Sequence, residues 1–192
     1  ADLERILSDE NLLVTILTDR QGVVFAVALI NQEGNIEQST IQNIYQSTQR
    51  LKGELLPQSI IANYGIKKSG ELKYYRVMRI AVHPFTQSKN IGSLLLSEIE
   101  ALAKLSDIDF IGASFAVDPK IISFWFKNNF TLIRFGNSRD SSTGSFTCEV
   151  LKALNDCSKP HLNQLKYRFS EAFFYKLTSR LNLLESGIVQ QL

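Results

Sequence analysis

The run Arg79-Ile80-Ala81-Val82-His83-Pro84, followed closely by Gln87-Ser88-Lys89-Asn90-Ile91-Gly92-Ser93, constrains this chain more than any other stretch. Met78, Ile80 and Val82 alternate with Val77, Arg79 and Ala81, the period of a β-strand. From Ile91 onward Leu95, Ile99, Leu102 and Ala103 recur at helical spacing, with Ser97, Glu98, Glu100 and Lys104 on the other faces. A strand therefore passes through a short polar turn straight into an amphipathic helix. The first N–H groups of such a helix lack intrahelical acceptors, and the positive end of its dipole lies at the turn. Gly92 lets backbone approach a ligand closely, and Asn90 tolerates left-handed dihedrals. Two readings fit the spacing. One is an anion site suited to the diphosphate of a nucleotide-like ligand. The other is an ordinary capped connection, since short glycine motifs recur by chance.

At 192 residues the chain suits one domain with an appendage and has enough apolar residues for a real core. A composition 44% hydrophobic and 21% charged is that of a soluble globular protein. A net charge of +2 is too small to identify a nucleic-acid binder by itself. No apolar run reaches the length of a membrane span, and the first residues do not form a signal peptide. Residues 1–10 read as part of a helix entered mid-fold, as in a piece of a longer protein. Cys148, Cys157, His83 and His161 exclude the usual structural zinc sets, so no metal is expected. Reduced thiols in a cytoplasmic protein are expected rather than a disulfide.

Residues 12–17 and 23–30 read as strands joined by a hairpin turn at 18–22. Helices are expected over 36–48, with Ile41, Ile44 and Tyr45 on the apolar face, and over 58–64, ending at Gly65. Residues 67–73 read as a polar loop before the central strand. Gly65-Ile-Lys-Lys-Ser-Gly70 resembles a phosphate loop, but Glu71 stands where the obligatory lysine belongs, so no ATP site is expected here. Further strands are expected over 110–115, 130–135 and 145–151. Asp118-Pro119 starts a helix running to about Asn128, since Asp is favoured at the cap and Pro in the first turn. A polar loop spans 137–144. Strands with interposed helices predict an α/β or α+β fold around a mixed sheet.

After Leu154 the texture changes to a polar linker, 155–160, and a helical stretch from His161 to about Leu184. Between Lys152 and Arg180 lie six basic residues (Lys152, Lys159, Lys166, Arg168, Lys176, Arg180) against Asp156 and Glu171. Tyr167, Phe169, Phe173, Phe174 and Tyr175 are interleaved with them. Such a surface suits an acidic partner such as RNA, with cations on phosphates and rings on bases. An amphipathic helix with solvated lysines explains the same residues, and for most of the aromatics a core-facing position is the preferred reading.

At the strand–turn–helix passage the chain resembles the GNAT acetyltransferases, whose coenzyme signature Gln/Arg-x-x-Gly-x-Gly/Ala is matched by Gln87, Asn90 and Gly92. Asn90 replaces the first glycine. Arg-Ile-Ala-Val-His-Pro (79–84), Gly53-x-Leu55-x-Pro57-Gln58-Ser59, Phe124-Trp125 and Gly136-Asn137-x-Arg139-x-x-Ser142-x-Gly144 together resemble the bacterial tRNA(Met) cytidine acetyltransferase family, over nearly the whole chain up to Leu154. That resemblance implies a GNAT domain at 1–154: a mixed, mostly antiparallel sheet flanked by helices. It implies a C-terminal helical extension at 155–192, the start of a tail that helps hold tRNA. An ATP-driven helicase module would lie outside this chain.

The resemblance also implies roles. Acetyl-CoA would lie with its pantetheine arm along the backbone of Ile80, Ala81 and Val82, whose N–H groups are natural oxyanion donors. Its pyrophosphate would sit on Gln87, Ser88, Lys89, Asn90, Ile91, Gly92 and Ser93. Lys127 matches a basic position that contacts the coenzyme. Lys120 occupies another coenzyme position, where the family typically carries an acid. No general base is identified. His83 is a weak candidate, and a structural hydrogen bond at the strand end is the preferred explanation of it. Arg134, Arg139, Lys166 and Arg168 are candidates for RNA contact; for Arg139, pairing with Asp140 or capping the loop at Ser141 and Ser142 is the alternative. The expected function is acetyl transfer to the exocyclic amine of the wobble cytidine of elongator tRNA(Met). The competing expectations are a stand-alone GNAT enzyme for a protein or small amine, and a non-catalytic RNA-binding module with a relic coenzyme pocket.

Overall fold

Asp19 closes the first hairpin: one carboxylate oxygen accepts from Gln21 N at 2.8 Å and Val23 N at 2.9 Å. It thereby joins β1 (Leu12–Thr18) to β2 (Val24–Gly34). The computed structural model describes residues 9–139, 144–179 and 186–189. After the hairpin come α1 (Gln38–Tyr45), α2 (Leu55–Tyr64), β3 (Lys73–Val82), α3 (Ile91–Leu105), β4 (Phe110–Ala116), α4 (Pro119–Lys127), β5 (Thr131–Phe135), β6 (Thr147–Ala153), α5 (Lys159–Ser179) and the short α6 (Ser186–Val189). The six strands form one mixed sheet in the order β1-β2-β3-β4-β6-β5. The chain divides into two compact units, Ala1–Ile111 and Gly112–Leu192.

In the first unit, β2 pairs antiparallel with both β1 and β3. Helix α3 buries Leu95, Leu96, Ile99 and Ala103, while Leu102 is left 40% exposed, so the apolar face turns toward Leu96 rather than Leu102. Ile41 and Ile44 of α1 pack with Ile61 of α2. Tyr45, expected on that face, is 48% exposed, with Lys67 Nζ 4.2 Å from its ring centre. Residues expected to form a loop instead make a 3-10 turn, Lys67–Gly70, and the strand already begins at Lys73. Gly34 ends β2 at φ +94°, and a Cβ there would stand 1.8 Å from the Leu72 carbonyl oxygen, so only glycine fits.

A buried polar cluster ties β2, β3 and α2 together. Glu33 is ion-paired with Arg76, accepts from Asn31 Nδ2 at 3.1 Å, and accepts from Leu56 N at 2.8 Å in the first turn of α2. Asn31 Nδ2 also donates to Gly53 O at 2.7 Å. Glu54 accepts from Gly34 N at 2.7 Å. Burial, aided by the nearby Glu33 charge, pushes the Glu54 carboxyl above its ordinary pKa; the Gly34 hydrogen bond and Arg76 oppose the shift.

In the second unit, Asp118 caps α4 by accepting from Lys120 N at 2.8 Å and Ile121 N at 3.1 Å, with Pro119 in the first turn. Trp125 packs against Phe130 with ring centroids 4.7 Å apart. β5 and β6 are antiparallel. Residues 155–158 form a tight turn in which Asn155 Oδ1 accepts from Ser158 N at 2.8 Å. Helix α5 then buries Leu165, Phe169 and Phe173, the last with its ring 5.6 Å from Phe135. The other aromatics of this helix face outward: Tyr167 is 64% exposed, and Phe174 and Tyr175 are each 74% exposed. The core-facing expectation thus holds for two of the five. Residues 1–8 of the expected N-terminal helix, residues 140–143 of the polar loop, and Arg180 to Leu184 of the expected tail helix lie outside the described residues. Among the described residues, no helix is long and apolar enough to cross a membrane.

Candidate functional site

The central strand carries an irregularity that its sequence pattern conceals. β3 pairs Arg79 with Leu29 and Val77 with Ile30, so Met78 is an extra residue facing no single partner on β2. This β-bulge puts Val77 on the buried side at 3% exposure, although simple alternation places it with the exposed Arg79 and Ala81. Bulges bend a strand and often sit beside active sites. No residue type at 77–79 signals it, because any of the three fits a regular strand. Arg79 Nη1 donates to Met78 O at 3.1 Å. Beyond the bulge Ile80 and Val82 are half-buried and Ala81 is exposed.

His83 prolongs the ladder by one bond, its N–H donating to Phe25 O at 2.8 Å. Its carbonyl accepts from Thr86 N at 2.8 Å and from Thr86 Oγ1 at 2.9 Å, closing the short turn Pro84–Thr86. The exposed His83 ring leans on Phe85, with centroids 5.5 Å apart. The hydrogen bonds at this strand end are made by the His83 backbone. Gln87 Nε2 donates to Val82 O at 3.1 Å, so the side chain that opens the polar turn is tied back to the end of β3.

Ser88 and Asn90 both adopt left-handed backbone, φ +60° and +62°, with Lys89 between them. Alternating conformations of this kind turn successive N–H groups toward one concavity. Asn90 is the N-cap of α3, its side chain makes no capping bond, and the first helical bond runs from Leu94 N to Asn90 O at 2.9 Å. The N–H groups of Ile91, Gly92 and Ser93 therefore precede any intrahelical acceptor. No acidic residue occupies the first turn of α3, and Gly92 is buried with no side chain to crowd the approach. A lysine, a helix dipole and converging N–H groups without a carboxylate suit an anion of phosphate type.

The start of β4 lies beside the start of β3: Asp109 N donates to Lys73 O at 3.0 Å, and Asp109 Oδ2 accepts from Lys73 N at 2.9 Å. Tyr74 and Phe110 stack there at 5.3 Å. The structure thus brings Ile80 to Ser93 together as one strand end, turn and helix start. The remaining candidates belong to the second unit. Lys120 and Lys127 are exposed at the two ends of α4. Arg134 is held by Glu149, Nη1 to Oε1 2.7 Å, across the β5–β6 pair. Arg139 donates to Gly144 O at 2.9 Å and lies 5.0 Å from the Phe146 ring centre, while its alternative partners Asp140, Ser141 and Ser142 are outside the described residues. Lys166 and Arg168 are exposed on α5. Cys148 is buried, which pushes its thiol up to about 12 and leaves it no nucleophile at neutral pH.

The sequence profile of the family described as GNAT acetyltransferase 2 matches residues 11–106 and 86–155, a span that includes the bulged strand, the turn and α3. The chain belongs to the GNAT acetyltransferase 2 family. It is 33% identical over its whole length to a protein of Vibrio cholerae named tRNA(Met) cytidine acetyltransferase TmcA, covering 26% of that protein. It is 34% identical over 157 residues, 81% of its length, to a protein of the same name from Haloarcula marismortui, covering 20% of it. The sequence resemblance points to a bacterial family, but the likeness extends to archaeal relatives as well. The chain spans between a fifth and about a quarter of the length of these curated relatives. Among solved structures, FeeM, an N-acyl amino acid synthase from uncultured soil microbes, superposes with a TM-score of 0.53 at 15% identity, over 80% of this chain and 79% of that one. The ribosomal-protein-S18-alanine N-acetyltransferase of Escherichia coli gives 0.51 at 11% identity, over 80% and 76%. These likenesses show the GNAT fold.

Proposed function

We propose that this chain is the acetyl-transfer part of a tRNA(Met) cytidine acetyltransferase, moving acetyl from acetyl-CoA to the exocyclic amine of the wobble cytidine. One observation supports the reading: the β3–α3 turn, with its left-handed Ser88 and Asn90 and a first turn of α3 free of acidic residues, suits a diphosphate and lies inside the family match. The names of the relatives supply the RNA substrate.

The thioester supplies an activated acetyl group, and the residues of the chain hold and orient it. Gln87 to Ser93 carry the diphosphate on backbone N–H groups. Ile80 to Val82 present backbone to the pantetheine arm, and an N–H there faces the oxygen that gains charge as the amine attacks. The C–N bond forms as the C–S bond breaks, and the amine proton leaves to solvent or to the departing thiolate. Lys120 and Lys127 are further candidates for coenzyme contact. The amine is conjugated and weakly nucleophilic, so alignment matters more than a strong base. ATP enters through a helicase module outside this chain, which opens the anticodon so that the base reaches the thioester.

The test is mass spectrometry of tRNA(Met) incubated with [14C]acetyl-CoA, ATP and full-length protein carrying this domain. Label is expected at the wobble cytidine. Transfer to polyamine or peptide amines with none to tRNA contradicts the reading.

A further inference from the structure

The second unit holds a groove of about 230 Å³ lined by Phe126, Phe130, Thr131, Leu132, Lys166, Phe169 and Ser170. Its floor is apolar and firmly packed: Phe130, Leu132 and Phe169 are 4%, 4% and 8% exposed, and Trp125 braces Phe130 edge-on. Its rim is polar. Lys166 and Ser170 stand one helical turn apart on α5, both exposed, with Ser170 Oγ donating to Lys166 O at 2.9 Å and keeping its lone pairs for another donor. Lys152 lies 5.8 Å from the Phe130 ring centre and donates to Asn128 O at 3.1 Å. No carboxylate lines the groove.

Size and chemistry narrow the occupant. The volume falls below the range of about 300–1,000 Å³ typical of drug-sized ligands, so it suits one flat ring and not a whole coenzyme. Aromatic walls with a hydroxyl and an ammonium at the mouth match a base with its phosphate. The surrounding unit carries 10 Lys and Arg against 6 Asp and Glu, which favours a polyanion over an ordinary protein surface. We propose that this groove captures one unpaired nucleotide of an RNA strand, base against the half-buried Phe126 above the apolar floor and phosphate toward Lys166. Stacking of this kind tolerates any base and positions the strand without reading its sequence. The proposal rests on the RNA part of the function proposed above and is independent of the coenzyme turn.

The experiment uses the intact chain and a short, unstructured, fluorescein-labelled RNA, titrated at several salt concentrations. Ser170→Trp fills the groove from its exposed mouth without cutting into the floor. It is expected to weaken RNA binding about 5- to 150-fold, the loss of one stacked base. Lys166→Gln, which leaves the groove open, is expected to reduce the slope of log affinity against log salt by about 0.7, one phosphate contact on a single strand. Both variants should keep the thermal shift that acetyl-CoA gives the parent chain. If the parent binds RNA and Ser170→Trp binds within twofold of it at an unchanged slope for Lys166→Gln, the groove assignment is overturned. A change in oligomeric state for Ser170→Trp with RNA affinity intact overturns it in favour of a protein occupant. A parent chain with no RNA affinity removes the RNA reading as a whole and leaves the coenzyme turn standing.

Discussion

The two units of this chain differ in charge, and the difference is invisible in the total. Residues 1–111 carry 11 Lys and Arg against 13 Asp and Glu, whereas residues 112–192 carry 10 against 6. The overall +2 is the residue of an acidic half and a basic half. In the acidic half, the candidate anion site is made of backbone: a bulged strand, two left-handed residues and a helix start, with Lys89 as the one cation of the turn. In the basic half, Lys166 on α5 and Lys152 on β6 supply positive charge at a ring-lined groove. Backbone capture suits a small ligand of fixed geometry, since converging N–H groups read shape at short range. Side-chain charge suits a long polyanion, whose attraction is summed and screened by salt.

Each unit also contains a Glu–Arg pair bridging neighbouring strands, and these offer the largest expected effects. Arg76 and Glu33 are 12% and 0% exposed, while Arg134 and Glu149 are 25% and 3% exposed. Removing Arg76 with Arg76→Leu leaves Glu33 charged in the core at the start of α2. A loss of about 3–5 kcal/mol is expected in chemical denaturation. Arg134→Leu strips a more solvated partner and is expected to cost about 1.5–3 kcal/mol. Equal losses would erase the contrast in burial. Weaker RNA binding by Arg134→Leu at full stability would return Arg134 to the RNA surface and remove its structural role.

The smallest effect belongs to Glu54. Its carboxyl titrates above the ordinary value, chiefly because burial disfavours the charged form, so the folded chain holds that proton more tightly than the unfolded one. Its contribution to stability is complete below the ordinary carboxylate pKa and is lost as pH rises through the raised one. Glu54→Gln keeps an oxygen for Gly34 N–H. It is expected to melt slightly above the parent at neutral pH, with the gap closing on acidification. Parallel melting curves at every pH contradict the shift.

Much of this was legible before any coordinates. Asp118-Pro119 announces a helix start because a short carboxylate and a fixed φ serve that place in any fold, and the structure puts both there. Ile80, Asn90 and Gly92 mark the strand–turn–helix passage in the same local way. What was hidden depends on partners distant in sequence. Val77 turns inward because β2 is one residue short opposite Met78, which no local pattern encodes. Leu102 and Tyr45 satisfy helical spacing yet end up exposed, since periodicity gives a stripe and tertiary packing decides its edges. The outward Tyr167, Phe174 and Tyr175 were hidden because α5 is aromatic on more than one side. Its groove partners Phe126 and Phe130 lie some forty residues earlier.

The central claim is that the β3–α3 turn receives the diphosphate of acetyl-CoA, and calorimetric titration of the chain with acetyl-CoA tests it most directly, with Gly92→Asp as the paired sample. The parent is expected to bind, and at a ligand concentration a hundredfold above Kd to gain about 2.7 kcal/mol, a rise of about 5–10 °C in Tm. Gly92→Asp, which sets a carboxylate among the N–H groups meant for phosphate, is expected to bind nothing while staying folded. A parent chain with no heat and no thermal shift at millimolar acetyl-CoA, or a Gly92→Asp chain that binds as the parent does, contradicts it.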